Sequence, residues 1–208
     1  TLLASSAASD VYKRQLQIGG IERVGADYAR ILSELGHDVT VVNLVPNLKE
    51  MEKEFPKDCK WIGFNYPRRI VTEQYAQLVK KGFWGTACYL VAMLVMPVIS
   101  YTLKRKFKMI YHDSEEFDLT IAFSGHFNDL DFVSREFIKS KKKMCWLHGA
   151  LYSYFLISYG YMRLYEKIKN LIVLVDDAQE EALSYNKNLK LNIHKLYNPT
   201  FIKNREIN

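Results

Sequence analysis

The chain has 208 residues, 49% hydrophobic and 25% charged, which is the make-up of a globular protein with a sizeable core and excludes a disordered one. Its net charge of +6, from 29 Lys and Arg against 23 Asp and Glu, asks for a negative partner: nucleic acid, anionic lipid or nucleotide phosphates. Cys59, Cys88 and Cys145 are odd in number and too widely spaced for a zinc pattern, so they read as reduced thiols of a cytosolic protein with no metal site.

The opening "TLLASSAASDVYKRQ" lacks the basic start and apolar run of a secretory signal. It resembles translated adapter or vector sequence, and residues 1–15 are set apart from the fold as a non-native leader. The "QLQI" that follows is too short for a full central strand.

Gly19 and Gly20 then open an amphipathic helix whose apolar stripe runs through Ile21, Val24, Tyr28, Ile31, Leu32 and Leu35, with Gly36 as its stop. Two glycines before a helix suit either a plain turn or an anion cradle, because the backbone can approach closely where the first-turn amides are unpaired. "HDVTVVNL" follows as a buried strand. The same rhythm returns in "WIGFNY" (61–66), "DLTIAF" (118–123), "KMCWLH" (143–148) and "LIVLV" (171–175), separated by helix-sized segments such as 128–140 and 177–188.

Residues 83–103 break the rhythm. They carry no charge and are fenced by Lys80-Lys81 on one side and Lys104-Arg105-Lys106 with Lys108 on the other. As a helix rising about 1.5 Å per residue the segment would reach roughly 31 Å, enough to cross a hydrocarbon core. Three readings stay open: a helix lying in a membrane interface, ordinary burial or cover by a partner domain, and true insertion. Pro97 would kink it in each case. A further basic bunch comprises Lys139 and Lys141 to Lys143.

Strands alternating with helices predict an α/β fold, a Rossmann-like parallel sheet with helices on both faces. Ligands of such sheets bind at the carboxyl ends of the strands, which places Gly19-Gly20, Ser124-Gly125-His126, His148-Gly149 and Asp176-Asp177 on one rim. Asp129 and Asp131 read as helix-start residues, and Asp176 and Asp177 as caps of the next helix.

In order and spacing, "GGIERV", "LGHDVTVV", "FDLTIAF", "KKKMCWLHG", "KNLIVLVDDAQEEAL" and "KLYNPT" resemble the N-terminal half of family-four retaining glycosyltransferases, enzymes of GT-B architecture with two facing Rossmann-like domains. The resemblance covers roughly residues 16–202. It implies an acceptor-side domain over 16–199 and, from Asn198-Pro199 through 200–208, the start of a crossover to a donor-binding domain. That second domain carries the family's diphosphate-gripping Arg and Lys and two glutamates seven residues apart, a spacing no glutamate pair of this chain shows, so the chain is expected to be a fragment.

By the same resemblance Gly19 and Gly20 face the sugar-nucleotide phosphates and the acceptor, and His148 orients the transferred sugar; Ser124, Gly125, His126 and Gly149, on the rim at the strand ends, are expected to bind donor or acceptor. The nucleotide sugar is a substrate, and no cofactor or metal is implied. The acceptor is expected to be a lipid-linked or cell-surface glycan precursor of cell-envelope polysaccharide biosynthesis. The enzyme is expected to be cytoplasmic and peripheral to the inner face of the cell membrane, against an anionic surface. The alternative is a non-catalytic Rossmann-like nucleotide- or sugar-binding module. Nucleic-acid binding is not expected, because the lysine bunches flank an apolar segment or a helix end and no aromatic-basic motif of a nucleic-acid-binding fold is present.

Overall fold

The computed structural model describes residues 2–5, 20–46, 52–66, 78, 80–112, 116–157 and 159–199. Short apolar runs joined by helices pair side by side and in parallel, because a helical crossover returns the chain to the same end of the sheet. The strands are β1 (Leu2–Ser5), β2 (Thr40–Asn43), β3 (Lys60–Gly63), β4 (Phe117–Ala122), β5 (Ser140–Trp146), β6 (Asn170–Val173) and β7 (Asn192–Lys195). They form one sheet of order β3-β2-β1-β4-β5-β6-β7, all pairs parallel. The α/β class expected from the sequence is the class observed.

The first strand lies where the sequence reading had set the chain aside. Leu2–Ser5 runs between β2 and β4, with Leu3 opposite both Val41 and Ile121. Two parallel strands that flank a gap leave a ladder of unpaired amides and carbonyls, and "LLAS" supplies the missing partners. Residues 15–18, expected as the remnant of that strand, and Gly19 lie outside the described residues.

The helices are α1 (Gly20–Glu34), α2 (Gly82–Ile110), α3 (Phe127–Ser134), α4 (Leu151–Ile157), α5 (Tyr159–Ile168) and α6 (Ala178–Tyr185). α1 covers one face of the sheet, packing Ile21, Val24, Tyr28, Leu32 and Ala29 on Val41, Ile121, Phe123, Trp146 and Ile172. It ends as expected at Gly36, whose φ of 83° lets the His37 amide donate to the Leu32 carbonyl at 3.0 Å. Leu35 falls past the helix end and is exposed, so it leaves the expected stripe. The other helices pack on the opposite face around Leu130, Phe132, Phe155, Tyr161 and Tyr165. α3 is shorter than the expected 128–140 because Glu136 adopts φ 55° and turns the chain into β5. β7, "NIHK", has no apolar run to announce it, being a mostly exposed edge strand.

α2 is one helix of 29 residues that runs through Pro97, where the bond to the Met93 carbonyl is forfeited. One stripe of it is less exposed, with Tyr89, Ala92, Met96, Ile99 and Leu103 half-buried and Ser100 and Phe107 buried, and through Leu103 and Phe107 it meets the core of the domain. Phe107 roots the helix, with ring centroids 5.0 Å from Phe64 and 5.2 Å from Phe132. The rest stands clear, and an apolar stretch of 18 residues is only 6% buried. Burial inside the domain, one of the three readings of 83–103, is therefore not what the described residues show.

Phe107→Ala is expected to cost about 3–5 kcal/mol, because it empties a filled aromatic site. Leu94→Ala, at 80% exposure, should change stability by less than about 0.5 kcal/mol. Urea unfolding of the two variants checks the contrast.

Candidate functional site

The order of the sheet reverses at its middle: β1 leads outward to β2 and β3, and the chain then returns to place β4 on β1's other side. The helices that follow β1 and β4, α1 and α3, pack on opposite faces of the sheet, and in sheets of this kind ligands bind where the strand order reverses. Gly20, the exposed first residue of α1, follows β1, while Ser124-Gly125-His126 follows β4 and His148-Gly149 follows β5.

α1 is held over this edge by a close approach. A Cβ on Gly25 would stand 3.3 Å from the Phe123 ring, and the Tyr28 ring tilts on Trp146 at 4.2 Å. Gly20 therefore projects about 7 Å beyond Gly25 along the axis, carrying the unpaired first-turn amides to the rim. A Cβ on Gly20 would meet nothing within 4 Å among the described residues. Glu22, half-buried in the same turn, has its carboxyl raised by burial, partly offset by a backbone hydrogen bond.

His148 packs on the same aromatic group, parallel to Trp146 at 7° and 6.0 Å and 5.1 Å from Phe123. Its Nε2–H donates to the Phe123 carbonyl at 2.9 Å. Burial, more than its backbone bond or neighbouring His126, sets its pKa and pushes it down to about 4. At neutral pH the ring is uncharged, and with Nε2 protonated its Nδ1 keeps a lone pair able to accept a hydroxyl proton.

The loop after β4 is fixed by its backbone. Gly125 has φ 68°, and a Cβ there would stand 2.8 Å from the Trp146 carbonyl. Its own carbonyl accepts from the Tyr165 hydroxyl at 3.2 Å. The Ser124 hydroxyl donates to Asp129 Oδ2 and accepts from the His126 amide at 3.2 Å, so both its bonds are engaged within the loop. His126 is the N-cap residue of α3 without a side-chain capping bond, its ring 5.8 Å edge-on to Tyr154. Gly149 is exposed and has room for a side chain, the nearest atom being a Tyr154 ring carbon at 3.6 Å.

The carboxylates divide. Asp129 does sit in the first turn of α3 and clamps the Ser124 amide and hydroxyl. Asp131 is no helix-start residue: it is buried farther along the helix, where it accepts from the Tyr66 hydroxyl and from Arg135 Nε, the latter at 2.6 Å. Asp177 holds the N-cap position of α6 without a side-chain capping bond, and Asp176 instead pairs with Lys195. The expectation that both cap that helix is thus corrected, since the ion pair with β7 draws Asp176 away. Among the described residues no group of His, Cys, Asp and Glu is placed to hold a metal ion.

Glu22, Tyr28 and Trp146 escaped the sequence reading. Trp146 and His148 are two residues apart at a strand end, the spacing that puts side chains on one face, so that neighbourhood was recoverable. The Trp146 indole N–H is buried with no hydrogen-bond partner among the described residues.

No protein-family model matches the chain, and no curated protein matches it significantly. Among solved structures it is similar to the crystal structure of a glycosyltransferase from Rickettsia africae ESF-5, at 18% identity and a TM-score of 0.48, over 94% of this chain and 42% of that one. The chain thus spans less than half the length of that protein.

Two outcomes are expected here. Folding depresses the His148 pKa, so its contribution to stability is complete above the unfolded value of 6.5 and is lost as pH falls from there through about 4. Titration by NMR should show that low value, and His148→Gln should flatten the stability profile across the window. Gly125→Ala should destabilise the chain by about 2 kcal/mol or more in urea, because it combines positive φ with a backbone clash.

Proposed function

We propose that this chain is the acceptor-side half of a retaining, nucleotide-sugar-dependent glycosyltransferase. It would act at the cytoplasmic face of a cell membrane on a lipid-linked or cell-surface glycan precursor of polysaccharide biosynthesis. The observation that carries the reading is the reversal of strand order between β1 and β4, with the start of α1, the Gly125 turn and His148 each following the carboxyl end of a central strand. The ordered motifs of the sequence add the reaction class.

In the reaction, the bond between the anomeric carbon and the donor diphosphate breaks, and the acceptor oxygen bonds to the same face of that carbon. Charge gathers on the departing phosphate oxygens. The first-turn amides of α1 and its positive end stabilise that charge without a metal. His148 Nδ1, a neutral acceptor, takes a hydrogen bond from a sugar hydroxyl and fixes its orientation. The acceptor's proton passes to the departing phosphate, so no residue of this chain is assigned as base. The nucleotide and sugar are chosen by a second domain that faces this one.

Addition of uridine or guanosine diphosphate to the 208-residue chain should shift the backbone amide resonances of Gly20 to Glu22, Gly125, His126 and Gly149, with Kd in about the millimolar range. Shifts confined to the Lys139–Lys143 strand edge would overturn the reading. Sugar transfer by this chain alone would overturn the assignment of the donor grip to a second domain.

A further inference from the structure

The apolar flank of α2 is the largest feature that the proposed donor site does not use. Phe83, Trp84, Leu90, Val91, Leu94, Val98 and Tyr101 are all exposed. Set on a helical wheel at 100° per residue, Phe83, Leu90, Leu94, Val98 and Tyr101 fall opposite the less exposed stripe. The next residues along this outward face are Arg105 and Lys108. From Lys80 to His112 there is no acidic residue, and Lys80, Lys81, Arg105, Lys106 and Lys108 are exposed at the two ends. Lys104 differs, since its ammonium donates to the Arg135 carbonyl at 3.0 Å and ties the helix to the domain.

We propose that this outward face docks the protein on an anionic bilayer, with the α2 axis lying in the membrane plane. The occupant is set by charge and by geometry. An apolar face bounded at both ends by cations matches hydrocarbon bordered by acidic headgroups, and a helix parallel to the surface brings both basic ends to the same headgroup layer. At the border the Arg105 guanidinium lies 6.0 Å from the centroid of the Tyr101 ring, an amphipathic pair suited to headgroup depth. A transverse pose is disfavoured because β3 before α2 and β4 after it belong to one sheet, which a spanning helix would divide across the bilayer. The surface goes beyond the transferase reading in fixing which face meets the lipid. Its failure would leave the diphosphate test above untouched.

Cys88 on α2 is exposed whereas Cys59 and Cys145 are buried, so a polarity-sensitive thiol dye reports from the helix flank without mutation. On mixing the full chain with phosphatidylcholine vesicles containing phosphatidylglycerol, the dye should shift to the blue, and salt should weaken the response. Vesicles of phosphatidylcholine alone should bind less. Leu94→Glu and Val98→Glu should each lower partitioning at least about tenfold, with unfolding midpoints unchanged because both sites are exposed. Arg105→Ala with Lys108→Ala should lower it about tenfold on the anionic vesicles only. In a C88S background, dyes on L90C and V98C should be quenched from the same depth. Absence of vesicle binding, binding indifferent to L94E, or unequal depths at the two cysteines would overturn the proposal. So would self-association through this face in place of lipid binding.

Discussion

The close seat of α1 on the sheet is the contact from which the rest of the site follows. A Cβ at Gly25 would stand tight against Phe123, at 3.3 Å, and Ala29 is fully buried below it. A helix drawn this near to β4 and β5 carries its free amides past the strand ends rather than out over solvent. The residues that permit the approach are small, and the residue that locks its angle, Tyr28, is large. Tyr28 also donates from its hydroxyl to the Tyr197 carbonyl at 2.7 Å, which binds the segment after β7 to the same helix. One contact therefore orients the first turn of α1, the aromatic floor beneath His148 and the chain beyond the last strand.

The opposite face obeys a different constraint. Its core is aromatic, with Phe64, Phe107, Phe132 and Phe137 in mutual ring contact, and one of these rings belongs to α2. The helix is thereby rooted in the core near its C-terminal end and exposed along its outward face. At the margin of this core the buried Asp131 carboxylate accepts from the Tyr66 hydroxyl and from Arg135.

Much of the fold could be read in advance because parallel strands buried on both faces declare themselves as apolar runs. "TVVN" and "DLTIAF" did so, and Gly36 marked a helix end by a backbone conformation that few other residues adopt. β1 and β7 were missed for opposite reasons. "LLAS" was apolar but stood in a stretch that looked foreign, and "NIHK" was native in look but too polar to suggest a strand. Of the rim residues, His148 and Gly125 carry their roles in local chemistry, a histidine after an inner strand and a glycine in a tight turn. Ser124 does not: its engagement with Asp129 depends on a loop closing over five residues, which spacing alone leaves undetermined. Asp176 likewise depends on where β7 lies, a fact of topology rather than of neighbouring sequence.

The parallel stack of His148 on Trp146 gives this end of the sheet an optical character. An uncharged imidazole is a poor quencher of indole emission, whereas an imidazolium accepts an electron from the excited ring. With His148 held neutral by burial, Trp146 stays bright across the physiological range. Protonation of His148 as pH falls toward about 4 would dim it, so the charge state of this one buried imidazole is written into the fluorescence of its neighbour.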